Sequence, residues 1–459
     1  MTDLLVAGAG PTGLTLACDL ARRGVEVRIV DRSAEFPTGS RGKGLSPRTL
    51  EVLDDLGVID KTLASGVTHL PHRRYRGAEI ISEVDPEAGR EPTDDIPYPV
   101  GLLIPQWRVE QILRERLAGL GVTVEPASEL TGLTQDTDGV TAAVGDTTIR
   151  ARYLAACDGG RSTVRKLLGL TLRGETPDVQ QMDVGDVEVD GLSRDAWHQW
   201  LTPTGGIMLC PLPGTRSFQV QAAGGEGFQQ TFDRIAGVPG VRLHEPTWRS
   251  TYRVQVRMVD RLRAGRVFLA GDAAHVHPIA GGLGMNTGIQ DAYNLGWKLG
   301  LVIKGQAGEG LLDTYEQERL PIAASLLNIT SEVLTEILES IRHRGGGLDA
   351  GTTHDLSQLT LKYPWSRLSR QTVDHPGTPR AGDRAADGRI GGRRLFDLFR
   401  GPHFTLLGPP AAESGTSALV QAHGVENAQT LTLVRPDGYL GLIADPTDLS
   451  AVSRYLEDL

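Results

Sequence analysis

The sequence predicts an α/β fold on a parallel sheet, with a mainly β portion inserted into it and a small separate unit at the C-terminal end. Three observations predict it: a strand–turn–helix–strand unit in residues 1–31, alternating strand-like pieces between 174 and 262, and strand-like runs at 404–407 and 431–434 beyond a Gly- and Pro-containing stretch at 375–383. The 459 residues suffice for two or three domains, and 39% hydrophobic with 23% charged content is ordinary for a globular protein.

Leu4-Leu5-Val6-Ala7 reads as a buried strand that runs into Gly8-Ala9-Gly10-Pro11-Thr12-Gly13 and then a helical stretch at 14–23. Gly24 ends that helix, and residues 25–30 form a second strand closed by Asp31. This is a complete G-x-G-x-x-G unit in the strand–turn–helix–strand setting of a Rossmann-type dinucleotide site. Gly8 permits the tight turn, Gly10 lets backbone approach a pyrophosphate, and Gly13 lets helix and strand pack closely. The helix N-terminus favours phosphate through its free N–H groups. Asp31 is placed to accept hydrogen bonds from ribose hydroxyls, and its charge would repel a 2′-phosphate, which favours FAD or NAD over NADP here. Pro11, Thr12 and Arg32 complete this part of the candidate cofactor-binding set.

Two later segments bear on which dinucleotide is held. Cys157-Asp158-Gly159-Gly160-Arg161 follows the strand-like 153–156, and Gly271-Asp272 follows the strand-like 267–270. In these ordered motifs, Gly8/Gly10/Gly13, Asp158-Gly159 and Gly271-Asp272, the sequence resembles the class A flavoprotein monooxygenases, the group of para-hydroxybenzoate hydroxylase, phenol hydroxylase and the polyketide hydroxylases, over residues 1–380. The resemblance implies bound FAD, with Asp272 on its ribityl chain and the Asp-Gly segment serving FAD and NAD(P)H. It also makes Arg41, in Ser40-Arg41-Gly42-Lys43, and Gln106, ahead of a helical 109–117, candidates for cofactor contact. An ordinary surface charge and a helix-start polar residue are the competing readings of these two.

Residues 275–286, His-Val-His-Pro-Ile-Ala-Gly-Gly-Leu-Gly-Met-Asn, lead into a helix whose start can face a flat ring and stabilise negative charge. The resemblance sets Pro278 beside the isoalloxazine and Gly282, Gly284, Met285 and Asn286 along its pyrimidine edge, with Gly281 also flavin-adjacent. His275 and His277 have no third ligand nearby, so no metal site is assigned. A second G-x-G-x-x-G unit is missing, which disfavours flavoproteins with a separate nicotinamide domain. In the resembled family NADPH or NADH reduces the flavin without a dedicated domain, and a C4a-hydroperoxide formed with molecular oxygen attacks an electron-rich ring. No acid or base stands out for that step.

The fold class implied is an α/β FAD-binding Rossmann-type domain, para-hydroxybenzoate hydroxylase-like, with an inserted mainly β substrate domain and a small thioredoxin-like C-terminal domain. The expected division is 1–73, 100–173 and 263–375 for FAD, 74–99 and 174–262 for substrate, and 376–459 for the tail, which carries no cysteine and therefore no thiol redox role. Trp200, Met208, Phe218 and Trp248 are candidate pocket residues, each also readable as core. Residues 311–341 read as a helical region broken by Pro321, ended by Gly345-Gly346-Gly347, with 315–321 structural.

The function expected is an FAD-dependent, NAD(P)H- and O2-consuming monooxygenase of an aromatic or polyketide substrate. Alternatives are Baeyer–Villiger-type or antibiotic-inactivating oxidation, or a non-catalytic flavin binder. A net charge of −10 argues against nucleic acid, and no apolar run reaches a bilayer span of about 18 residues. Three scattered cysteines and the lack of a basic leader point to the cytoplasm. A homodimer stays compatible with the sequence.

Overall fold

The computed structural model describes the chain except residues 176–181, 203–204, 253–254, 278–281, 345–354, 375–376, 378 and 414–416. The candidate residues Pro278 and Gly281, the triple glycine at 345–347 and part of the 375–383 stretch therefore lie outside the described residues.

The first sheet is built on short runs of Val, Leu, Ile and Ala buried on both faces, the pattern of a parallel sheet covered by helices. Its parallel strands lie in the order Val267–Leu269, Thr147–Ala156, Thr2–Ala7, Val27–Val30 and Val124–Glu125. Arg263–Ala264 closes one edge, and the hairpin Leu130–Gln135 with Val140–Val144 pairs antiparallel to the start of Thr147–Ala156. Ala7 sits opposite both Val30 and Ala156, and Ala156 opposite Leu269. That register brings the ends of four strands to one edge, where α/β sheets bind ligands.

The helices Pro11–Arg22, Gln106–Gly119 and Leu283–Ile303 supply apolar residues to the core of this sheet. The helix Asp313–Arg344 was expected to break at Pro321, yet it runs through that residue. Pro321 has no N–H for the carbonyl of Gln317. The Trp365 indole supplies the missing donor to that carbonyl at 2.9 Å, so the helix continues without an orphaned acceptor.

A second sheet gathers His72–Arg76 and Glu79–Val84 with Trp197–Thr202, Gly205–Pro211, Ser217–Ala223, Met182–Asp190, Arg242–Leu243 and Trp248–Tyr252. One face carries Val187, Trp200, Ile207, Leu209, Phe218, Val220 and Ala222 and packs on the helix Phe228–Ile235 through Phe228 and Phe232. Period-two alternation sends their neighbours to the opposite face.

A third, five-stranded sheet runs in the order Arg370–Gln371, Leu440–Ala444, Leu431–Val434, Phe404–Gly408, Val420–Gly424, with the helix Ser450–Glu457 following. It is clasped to the first unit by a fully buried ion network. Arg435 donates to both carboxylate oxygens of Glu318 at 2.7 and 2.9 Å, and Lys298 donates to the same group at 2.7 Å. The segment 315–321 read as structural thus supplies Glu318 and also Glu316, which accepts from the Leu262 amide at 2.6 Å.

Candidate functional site

Four turns leave the carboxyl edge of the first sheet side by side: Gly8 after Thr2–Ala7, Asp31 after Val27–Val30, Cys157-Asp158 after Thr147–Ala156, and Gly271-Asp272 just beyond Val267–Leu269. Gly8 holds φ at +102°, and a Cβ there would lie 2.3 Å from the Cys157 carbonyl oxygen. A Cβ on Gly13 would lie 2.0 Å from the Gly8 carbonyl oxygen. Gly10 differs, since no atom comes within 4 Å of its Cβ position. Open space therefore stands beside the start of the helix Pro11–Arg22, where backbone N–H groups lack helical partners. Pro11 opens this helix, the position where its missing N–H costs nothing, and the side chain of Thr12 packs beneath Gly271 and Gly288.

Asp31 accepts from the Ala9 amide at 2.7 Å and the Ser33 amide at 2.8 Å, which pins the second strand's end to the glycine turn; Arg32 beside it is exposed. Asp158 accepts from the Thr163 and Val164 amides through Oδ2 at 2.7 and 3.2 Å. Its Oδ1 is buried with no hydrogen-bond partner in the protein. Gly159 takes φ +78° in the same turn. The buried Arg165 donates to the Gly160 carbonyl at 2.9 Å and the Ala273 carbonyl at 3.0 Å, so one side chain spaces the Asp-Gly turn from the Gly-Asp turn.

Asp272 keeps an exposed carboxylate, although the protein around it raises its pKa; His275 and Arg41 work against that rise. Arg41 is exposed and close enough to act electrostatically on Asp272 and on Glu110, whose own pKa burial raises. Gln106 accepts from the Gly42 amide at 3.0 Å and donates to Glu110 at 2.8 Å, facing the Arg41 loop. Gly282 takes φ +64° as the N-cap of Leu283–Ile303, and Gly284 and Met285 are half-buried in its first turn. Asn286 accepts from the Ser46 amide at 2.8 Å and donates to the carbonyls of Gly44 at 3.1 Å and Gly282 at 2.9 Å. It therefore holds the loop 42–46 against the start of that helix.

His275 and His277 are engaged with each other at 3.0 Å, and His275 Nε2 meets Asp291 at 2.6 Å. Among the described residues no group of three His, Cys, Asp or Glu side chains is placed to hold a metal ion, and no helix is long and apolar enough to cross a membrane. The cysteines are free and buried; burial pushes the Cys18 thiol up to about 12 and the Cys210 thiol up to about 11.

The second sheet turns its other face toward the loop 40–46. That face carries Asp186, Gln219, Gln221, Cys210, Met208, Trp197 and Gln199, set by the register Asp186↔Gln219↔Cys210 and Gln221↔Met208↔Gln199. Lys43 donates to Gln219 at 2.5 Å and lies over the Trp197 ring at 4.3 Å; Asp186 accepts from the Ser40 amide at 2.8 Å. Of the four expected pocket residues, Met208 and Trp248 share this face, since Trp248 pairs with Asp186. Trp200 and Phe218 do not: their parity puts them in the apolar core against Phe232. Lys43, Asp186, Arg165 and Asp291 also join these contacts, and none of them stands in a motif that marks it as a site residue. The alternation Phe218-Gln219-Val220-Gln221 carried the only local signal for any of this.

A family model described as FAD binding domain matches residues 1–330. The chain is 43% identical to a flavin-dependent monooxygenase of Mycobacteroides abscessus, over 96% of this chain and 97% of that protein. It is 44% identical to the 6-methylpretetramide 4-monooxygenase of Streptomyces rimosus, over 97% of this chain and 86% of that one. An aklavinone-11 hydroxylase solved as a ternary complex with FAD and aklavinone superposes with a TM-score of 0.83 at 28% identity, covering 99% of this chain and 98% of that one.

Proposed function

The chain belongs to the FAD-binding domain family, and from that membership we propose that it is an FAD-dependent monooxygenase that consumes NAD(P)H and O2 to hydroxylate an aromatic or polyketide substrate. The observation that carries the reading is the meeting of four motif turns at one sheet edge, facing a roof that is polar on its inner side and apolar on its outer side.

The residues present suit FAD. The opening beside Gly10 and the start of Pro11–Arg22 would take the pyrophosphate. Asp31 would receive the adenosine ribose with Arg32 at its margin, and Arg41, Gln106 and Asp272 would hold the ribityl chain. Asp158, through its free Oδ1, and Gly159 are assigned to cofactor contact. Gly282, Gly284, Met285 and Asn286 would border the ring, together with Pro278 and Gly281. Bound FAD supplies the redox chemistry: reduction by NADPH or NADH and activation of oxygen.

The chain's own part is positioning. Asn286 fixes the loop 42–46 to the helix start, Arg165 spaces the two acidic turns, and the second sheet, tied to residues 40–43 through Asp186 and Gln219, would shield the ring from water. We assign 1–73, 100–173 and 263–375 to the FAD domain, 74–99 and 174–262 to the substrate domain, and 376–459 to a thioredoxin-like tail. The shared sheet of His72–Val84 with 182–252 supports the second assignment. Anaerobic mixing of the yellow protein with NADPH or NADH, with and without phenols and hydroxyanthraquinones, tests the function. Flavin bleaching accelerated by one ring compound is expected. Bleaching by neither nucleotide would overturn it.

A further inference from the structure

The helix Pro47–Asp55 carries Glu51, Asp54 and Asp55 in its second half and no basic residue in its last turn, an arrangement that the helix dipole disfavours. Its charges are answered from later in the chain. Arg384 donates to Glu51 at 2.8 Å, and Arg400 and Arg394 reach the two oxygens of Asp54 at 2.5 and 2.9 Å. The Gly401 amide donates to Asp55 at 3.0 Å. Tyr98 and Arg22 complete the shells of Asp54 and Asp55. The Glu51 and Asp54 side chains are 2% and 1% exposed, so solvent and salt screen these pairs little. The segment 384–401 is itself fastened to the third sheet. The Ala385 amide donates to the Gly438 carbonyl at 2.9 Å, and the Thr405 hydroxyl to the Leu398 carbonyl at 3.2 Å. Arg48 adds a direct tie, donating to Glu51 at 2.6 Å and to the Asp437 carbonyl at 2.7 Å.

The other end of the same helix reaches the proposed flavin site. Its N-cap is Ser46, whose hydroxyl accepts from the Thr49 amide at 3.4 Å and whose own amide donates to Asn286 at 2.8 Å. Ser46 closes the loop 40–46, in which Gly42 donates its amide to Gln106 at 3.0 Å beside Arg41. A helix of nine residues is a stiff rod about 13 Å long. It therefore joins the acids held by residues 384–401 to the loop at the cofactor site.

Resting on the monooxygenase reading, we propose that Arg384, Arg394 and Arg400 are positioning residues, which act through Glu51 and Asp54 on the helix Pro47–Asp55 and so hold the loop 40–46 where FAD needs it. The third sheet thereby serves the cofactor site without placing a residue in it. This role differs from plain adhesion between the two sheets. Adhesion alone, once weakened, lowers the stability of the whole and leaves the loop as firm as the strands beside it. A positioning role loosens the loop first.

The test is made on the full-length holoenzyme, by hydrogen–deuterium exchange of residues 40–46 and by the rise in flavin fluorescence as FAD leaves on dilution. Arg384→Gln leaves Glu51 without its partner from the segment 384–401, and should speed both exchange and FAD release about tenfold. Amides of the strand Val27–Val30 should exchange at the wild-type rate. The Arg400 side chain is 40% exposed and Arg394 stays on Asp54, so Arg400→Gln should speed both about threefold. It reports even where Arg384→Gln fails to fold. Arg400→Lys, which keeps the charge, should return both to near the wild-type rate. Exchange of 40–46 at the wild-type rate, faster exchange shared equally by Val27–Val30, or unchanged FAD release would overturn the proposal. A wild-type holoenzyme that neither NADPH nor NADH reduces would count against the monooxygenase reading instead, and would leave these two readouts to decide the positioning role.

Discussion

The carboxylate of Asp291 accepts from His275 Nε2 at 2.6 Å, on a helix sixteen residues further along the chain, with both side chains 1% exposed. The same oxygen takes the Gly271 amide at 3.1 Å, and the other oxygen takes Arg319 Nε at 2.7 Å. One buried acid therefore fixes the Gly271-Asp272 turn, the short strand His275–Val276 and the helix Asp313–Arg344 together. Burial opposes its charge, but Arg319 and His275 hold the carboxyl down at about 2.

Asp291→Asn should cost about 3–5 kcal/mol, because Arg319 would be left as an uncompensated buried charge. Urea unfolding measures the loss, and flavin retention should fall with it as the Gly271 turn loosens. A variant within 1 kcal/mol of wild type would show that the carboxylate does not organise the turn.

His277 gives the same region an acid sensitivity. Burial, and then the neighbouring His275, lower its pKa to about 3, while in the unfolded chain it titrates near 6.5. The folded state disfavours the proton, so this contribution is complete above pH 6.5 and is lost as pH falls toward 3. His277→Gln should flatten the decline in melting temperature between pH 6.5 and 4.5 relative to the wild type. An unchanged slope would place the acid sensitivity elsewhere.

Gly13→Ala should abolish flavin binding, since its Cβ would fall 2.0 Å from the Gly8 carbonyl oxygen and push the turn out of shape. The purified variant is expected colourless, with the flavin-to-protein absorbance ratio as the readout.

Glu318→Gln should release the C-terminal sheet. The neutral amide would face Arg435 and Lys298, both fully buried, at a cost of about 3–5 kcal/mol. Limited proteolysis should then cut near residues 375–380 faster than in the wild type. Equal protection would mean that the remaining contacts, among them Trp297 with Phe404 and Arg400 with Asp54, suffice to hold the tail.

The glycine turn, Asp31, the Asp-Gly and Gly-Asp turns and the strands before them were legible because each is a local pattern, carried by a run of apolar residues closed by glycine. Whatever depended on pairing distant strands was not. Arg165 reaches Ala273 across more than a hundred residues, and Lys43 reaches Gln219 on a strand of the second sheet. Pro321 misled for a related reason, since the donor that rescues the helix is Trp365 from a later loop. Trp200 and Phe218 could have been sorted from Met208 and Trp248 by strand parity, but only once the strand ends were known.

The most direct test of the account is a single turnover of the reduced holoenzyme with labelled dioxygen and a polyketide substrate that accelerates flavin reduction. The account predicts a product carrying one labelled oxygen atom on a ring carbon, formed together with reoxidised flavin. Reoxidation that yields only hydrogen peroxide, with the substrate returned unlabelled, would contradict it.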